Sequence, residues 1–429
     1  MTACRKSEVL LTLGFLGIIS CVPLVQIVLE LRRGDRVQFT DLFRYAPTVR
    51  NLRQYERTVE DKSWFQQAVR PEMQRLLLLA LGDAGAKGLV GRNGWLFYRP
   101  GVRYLAEAQW HRLPACGDGV AQAIARYRDQ LKERGIELLL VPIPDKASVY
   151  PDRLTRRVVG KFQDFRSPTE GLLDGLKRSG VESVDLFHLF REARRESGDA
   201  TDLYLAHDTH WTPAGARLAA EAVTRKLRDL GWAPTHRRDY ATRPVHVERR
   251  GDVLEMVQVP RIAESFPAQA VECAQVLDKS AGLLVSTISG REGTYANQHL
   301  VDTPLQATVL LLGDSFSRIY QAIEPQSLGG IPGLINAQDA ERNREGIKRT
   351  RRLLPGSAGL PSLLARALAA PVDYIVSDGG AATDVRQTLS TNPEILELKR
   401  VVVWEFAERD IGLGAAGWRD VPLPPRLGP

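Results

Sequence analysis

Two short clusters in this chain carry residue types suited to nucleophilic catalysis. The first is Val309-Leu310-Leu311-Leu312-Gly313-Asp314-Ser315-Phe316-Ser317-Arg318. Its opening apolar residues predict a fully buried strand. The Gly313-Asp314 pair then turns the chain, and Ser315 stands at the mouth of a predicted helix from Ser317 to about Ile323. A serine at the carboxyl end of a central strand is held at the rim of the sheet, where open α/β folds bind ligands. Backbone N–H groups at a helix start can stabilise an oxyanion there. Serine is a weak nucleophile and needs a base, which in turn needs an orienting group. The second cluster, His207-Asp208-Thr209-His210-Trp211-Thr212-Pro213, offers both. A carboxylate at Asp208 can hold one ring nitrogen of His210 and leave the other for Ser315.

With D-T-H-W upstream of G-D-S-F-S, the chain resembles the alginate O-acetyltransferase family, whose catalytic domain is related to SGNH hydrolases. Further matching pieces are Gly91 to Tyr98, Val141 to Lys146, and Val402 to Phe406 with Arg409; the likeness runs from about residue 50 to 410. The resemblance implies an α/β fold with an SGNH-hydrolase-like parallel sheet flanked by helices, behind an N-terminal transmembrane helix and a helical stalk. It implies a catalytic triad of Ser315, His210 and Asp208, acetyl transfer through an acetyl-serine, and no cofactor. The acceptor would be a hydroxyl of an exported polysaccharide, alginate-like or another. The acetyl donor would cross the bilayer through a polytopic membrane-bound O-acyltransferase, and the catalytic body would face the periplasm from the inner membrane. Gly313, Lys146, Trp211 and Arg318 are candidate substrate or oxyanion contacts. The serine follows the Asp-His pair, the reverse of most SGNH hydrolases. The usual SGNH glycine and asparagine donors are not found by motif, so the Ser315 N–H is the first oxyanion donor to name.

His207, Asp208 and His210 are also metal-ligand types. Their spacing is unusual for a compact zinc site and no second ligand cluster is visible, so no metal is expected. Two other functions compete with the transferase: a carbohydrate acetylesterase, and a non-catalytic glycan-binding subunit of an export complex.

The elements that must position these clusters follow from the pattern along the chain. Val9 through Leu29 carries no charge and nears the length of a bilayer-spanning helix. No small-x-small cleavage site follows it, which predicts a signal anchor over residues 1–31. Arg5 and Lys6 on one flank and Arg32, Arg33 and Arg36 on the other leave its orientation to the resemblance. Residues 32–90 show helical spacing and predict a stalk that lifts the body off the membrane and packs on it; residues 91–429 form the body. Asn93-Gly94 predicts a hairpin turn before a strand at Trp95 to Tyr98. A helix is expected over Asp118 to Gly135 and a buried strand over Ile136 to Val141, ended by Pro142. Lys146, just beyond, either faces the crevice or is solvated. Further expectations are a helix at Pro168 to Arg178, a strand at Val181 to Phe187, and a helix from Pro213 to Leu230 capped by Thr212. Its apolar face is Leu218, Ala222, Val223, Leu227 and Leu230. Residues 232–306 should hold small strands or a subdomain, with Asn297, Gln298 and His299 as candidate contacts. Residues 326–362 predict a surface loop, and Val372 to Val376 and Arg400 to Phe406 the last strands. Alternation of strands with helices argues for a parallel sheet.

The net charge of +7 over 429 residues permits an anionic substrate without requiring one. No Lys/Arg block with interleaved aromatics is present, which argues against nucleic acid. Of the cysteines, Cys116 and Cys273 fall in the body, where a bridge and two separate buried thiols are both compatible with a periplasmic setting.

Overall fold

The computed structural model describes residues 2–44, 46–110, 114–158, 164–198, 201–257, 266–278, 282–283, 294–296, 307–321, 356–378 and 382–425. The chain divides into two compact units, one built on Met1–Asp83 and a larger one that begins at Ala84. The smaller unit opens with a helix over Thr2–Arg33, of which Leu11–Arg33 is long and apolar enough to cross a membrane. Helices follow at Val49–Lys62 and Trp64–Leu81. The second of these returns to the first helix of the chain: Trp64 donates its indole N–H to the Val22 carbonyl at 3.1 Å and its backbone N–H to Gln26 at 2.8 Å.

The larger unit is organised on a six-stranded sheet. Its strands are β3 (Glu137–Ile143), β4 (Glu182–Ser183), β8 (Thr294–Ala296), β9 (Val309–Gly313), β10 (Val372–Ser377) and β11 (Val401–Ala407). They lie in the order β4-β3-β11-β9-β10-β8; all neighbours are parallel except β8, which runs antiparallel to β10. β9, β10 and β11 are buried along their whole length, as near-continuous apolar runs covered on both faces must be. The register aligns Ile143 with Ala407 and Gly313 with Val376, so the carboxyl ends of β3, β9, β10 and β11 open onto one edge. Asp145, Asp314 and Glu408 follow those ends.

The hairpin is where the sequence puts it. β1 (Gly88–Val90) pairs with β2 (Leu96–Tyr98), and both Asn93 and Gly94 have positive φ, as a primed turn requires. The helix Pro168–Arg178 carries a Ser167/Glu170 capping box, and Thr212 caps the helix Pro213–Asp229 through the Gly215 N–H. The helix expected from Asp118 spans Pro114–Lys132 and buries Val120, Ile124, Tyr127 and Leu131.

Several expectations change. β3 runs through Pro142 to Ile143 instead of stopping before it, because β4 pairs only with Leu139 and Leu140. On that side Pro142 is an edge position with no ladder bond to lose. The strand expected over Val181 to Phe187 is confined to Glu182–Ser183; Asp185 caps a helix over Leu186–Ser197 through the His188 N–H. The helix Pro213–Asp229 buries its small residues Gly215, Ala216, Ala219 and Ala220 with Val223 and Leu227, while Leu218 and Ala222 are only partly covered. The serine helix is a single turn, Ser315–Arg318, cut short before Tyr320 takes a φ of +65°. The described end of the expected surface loop is buried, and the helix Leu360–Leu368 starts inside it. Residues 232–306 do contain a subdomain, the antiparallel sheet of β5 (Tyr240–Arg249), β6 (Gln269–Asp278) and β7 (Gly282–Leu283). Cys273 is a free buried thiol on β6, whereas the Cys116 side chain lies outside the described residues, as do Asn297, Gln298 and His299.

Candidate active site

β9 delivers Ser315 to the open edge. Asp314 caps the short helix by accepting the Phe316 N–H on Oδ1 at 2.7 Å, and its Oδ2 accepts the Ala407 N–H at 3.0 Å. Asp314, Phe316 and Ser317 are buried around Ser315, which alone in this turn keeps partial exposure together with Arg318. Glu405 of β11 lies beneath, accepting the Asp314 N–H at 3.0 Å and the Ser317 hydroxyl. Burial, then the neighbouring Asp314 charge, pushes the Glu405 carboxyl well above the usual range. A Cβ on Gly313 would collide with the Ser317 hydroxyl and meet Glu405 Oε2 at 2.7 Å. Gly313 therefore admits this second row of side chains behind the serine.

The Asp-His cluster lies on a tight loop pinned at both ends. Tyr204 and Trp211 form a bridge across it, with Leu205 N–H bonded to the His210 carbonyl at 3.1 Å. Asp208 Oδ1 stands 2.6 Å from His210 Nδ1 and also accepts the His210 backbone N–H at 3.1 Å. The other oxygen of Asp208 accepts Arg249 Nη2 at 3.0 Å and Nε at 3.3 Å. Burial alone would raise the Asp208 carboxyl, but Arg249 first and His210 next hold it well below the usual carboxylate range. His210 Nε2 is buried and has no hydrogen-bond partner among the described residues, Ser315 included.

The two clusters meet through Phe316, the residue after the serine. Its ring lies 4.8 Å from the His210 imidazole and 5.2 Å from the Trp211 indole, and Tyr320 donates its hydroxyl to the Trp211 carbonyl at 3.2 Å. Trp211 is wholly buried in this contact and serves as packing. Arg318 is partly exposed and pairs with Asp378 at 2.8 Å.

Lys146 is neither solvated nor aimed into an open crevice. Its ammonium donates to the carbonyls of Leu205, Ala206 and Asp208 at 3.0, 3.0 and 2.7 Å. It also lies 5.1 Å from the Phe97 ring centroid and 5.5 Å from that of Trp95, which places the hairpin aromatics under it. Burial pushes its pKa down to about 7 against the pull of Asp208 and Asp252. Arg409, of the Val402 to Arg409 stretch, pairs with Asp145 at 2.7 Å and lies 5.6 Å from the Phe316 ring.

Sequence reasoning missed Arg249 and Asp252, which come from the subdomain. Gly251 between them has a φ of +102°, and a Cβ there would collide with the His207 carbonyl. The signal for them in the sequence is the Arg249-Arg250-Gly251-Asp252 run. Asp208, His210 and Asp252 offer ligand atoms within 4.8 Å of one another. His210 Nδ1 is already at hydrogen-bond distance from Asp208, and Thr209 donors occupy both Asp252 oxygens.

Comparison with known proteins identifies the family. The family profile described as SGNH hydrolase-like domain, acetyltransferase AlgX, matches residues 89–327, more than half of the chain. "Probable alginate O-acetylase AlgJ" of Pseudomonas aeruginosa is 25% identical over 236 residues, covering 53% of this chain and 55% of that protein. "Alginate biosynthesis protein AlgX" of Pseudomonas fluorescens is 29% identical over 122 residues, covering 28% of this chain and 25% of that protein. The matched region thus spans about half the length, or less, of these relatives. The solved O-acetyltransferase domain of Pseudomonas putida AlgJ superposes with a TM-score of 0.52 at 19% identity, over 76% of this chain and 92% of that one, which is a likeness of fold. With its Ser315 turn and Asp208-His210 loop inside the matched span, the chain belongs to the SGNH-hydrolase-like family of AlgX-type acetyltransferases.

Proposed function

We propose that this protein transfers acetyl groups to hydroxyls of an exported polysaccharide, alginate-like or another, through an acetyl-Ser315 intermediate. Ser315, His210 and Asp208 are the nucleophile, base and orienting acid. The observation that carries this reading is the 2.6 Å contact of Asp208 Oδ1 with His210 Nδ1, on a loop packed against the residue that follows Ser315.

His210 Nε2 takes the Ser315 proton as the serine oxygen attacks the carbonyl carbon of an acetyl ester or thioester. The Ser315 N–H is the oxyanion donor, since the Phe316 N–H is engaged by Asp314. Collapse expels the alcohol or thiol, which leaves with the proton from His210. A sugar hydroxyl then attacks acetyl-Ser315, its proton passing to His210 and on to the departing serine oxygen. Water in the sugar's place gives an esterase.

The apolar helix Leu11–Arg33 would anchor residues 1–31 in the inner membrane, with residues 32–90 as stalk and 91–429 as a periplasmic body beside a membrane-bound O-acyltransferase that supplies acetyl. The test is acetyl release from a chromogenic acetyl ester by the full chain, with the Ser315 peptide weighed for a trapped acetyl group. Deacetylated glycans are then offered as acceptors and their products weighed. A Ser315→Ala chain that keeps full activity would reject the reading; acetate without acetylated glycan would make the protein an esterase.

A further inference from the structure

His210 meets a second carboxylate. Asp252 opens the helix Asp252–Val257, which is bonded to the catalytic loop from Leu254 N–H to the His207 carbonyl at 3.3 Å. Asp252 Oδ1 accepts the Thr209 N–H at 2.6 Å, and Oδ2 accepts the Thr209 hydroxyl at 2.5 Å. The same Oδ2 stands 3.4 Å from His210 Nδ1, and the Thr209 hydroxyl 3.1 Å from it. One ring N–H thus faces Asp208, at 2.6 Å, and Asp252 behind it.

The two acids are not equivalent. Arg249 closes on the Asp208 carboxylate, whereas Lys146 reaches only the backbone carbonyl of that residue. Asp252 accepts from Thr209, a neutral donor, and is less deeply buried. The close approach depends on Gly251, whose positive φ and missing Cβ let the helix start sit on the His207–Asp208 peptide.

We infer that Asp252 is a positioning residue for His210: with Asp208 it fixes the Nδ1–H tautomer and adds a second negative charge beside the imidazolium formed when Ser315 loses its proton. The inference rests on His210 serving as the base for Ser315. Groups facing Asp252 are Asp208 and His210 from the loop, Arg249 from β5 and Lys146 from the turn after β3. Burial, then the Asp208 charge, raises the Asp252 carboxyl. As pH falls, the Asp208-Asp252 pair takes up a proton and its support of the imidazolium fades.

The test uses phenylmethanesulfonyl fluoride on the full-length chain in detergent, from pH 5 to 9, with the mass of the Ser315 peptide as readout. The serine oxygen displaces fluoride from sulfur, and its proton goes to His210. In Asp252→Asn we expect labelling about tenfold slower on the plateau and an acid limb displaced by about one unit to lower pH, as loss of one nearby opposite charge gives. Asp252→Glu, which keeps the charge, should restore the limb. A structural role alone would lower the labelled fraction without moving the limb. An Asp252→Asn profile superimposed on that of the unaltered chain, or an Asp252→Glu limb displaced as far as that of Asp252→Asn, overturns this inference alone. An unaltered chain that takes no label at Ser315 overturns the triad, and this inference with it.

Discussion

Arg249 Nη2 sits 3.0 Å from Asp208 Oδ2, on the opposite side of the carboxylate from the oxygen that holds His210. The guanidinium comes from the end of β5, outside the main sheet, and it keeps Asp208 ionised in a fully buried position. Arg249→Met should cost about 3–5 kcal/mol, the usual consequence of removing one partner of a buried pair. It should also move the acid limb of kcat/KM to higher pH, since Asp208 loses the main interaction that depresses it. Arg249→Lys should do less of both. Acetyl-ester turnover against pH, with melting curves, checks this.

Lys146 holds the loop by its carbonyls, so its removal should disturb geometry more than binding. Lys146→Met strands the oxygens of Leu205, Ala206 and Asp208 without their donor. A loss of about 3 kcal/mol in stability is expected, with kcat lowered at least tenfold and KM little changed. A raised KM with unchanged kcat would instead make Lys146 a substrate contact.

Gly251→Ala should damage the site from outside it. The φ of +102° is strained for alanine, and the new methyl would also lie 2.9 Å from the Asp208 nitrogen. We expect about 2–3 kcal/mol of destabilisation and a parallel fall in Ser315 labelling, measured by thermal unfolding and by mass.

The mouth of the sheet should make stability fall as pH rises. Burial, with Asp314 and Asp145 nearby, raises the Asp410 carboxyl to about 7, against the pull of Arg409. A group raised in the folded state contributes its full stabilisation below its unfolded value, near 4, and loses it as pH climbs through about 7. Asp410→Asn should flatten that slope by up to about 4 kcal/mol. Melting temperatures from pH 4 to 8.5 decide it; an unchanged slope would rule it out.

Much of the frame was readable in the chain. The apolar runs at Val309, Val372 and Val401 gave strands because a parallel sheet covered on both faces needs continuous apolar residues. Thr212-Pro213 and Asn93-Gly94 marked a cap and a turn because their local chemistry suffices. Where local signals compete, capping and tertiary packing decide the outcome. Phe187 looks like strand until Asp185 caps a helix, and the Pro213–Asp229 helix hides its small residues because the helix Leu360–Leu368 packs against it.

The sequence by itself determined the Ser315 turn, the Asp208-His210 pair and the apolar helix at the start, since each depends on neighbours within a few residues. Only tertiary structure decided what surrounds them. Lys146, Arg249, Asp252 and Glu405 reach the site from separate elements, and their burial, partners and proton affinities exist only once the sheet and the subdomain close around the loop. Such contacts leave no periodic trace, because they are set by where strands end in space and not by spacing along the chain.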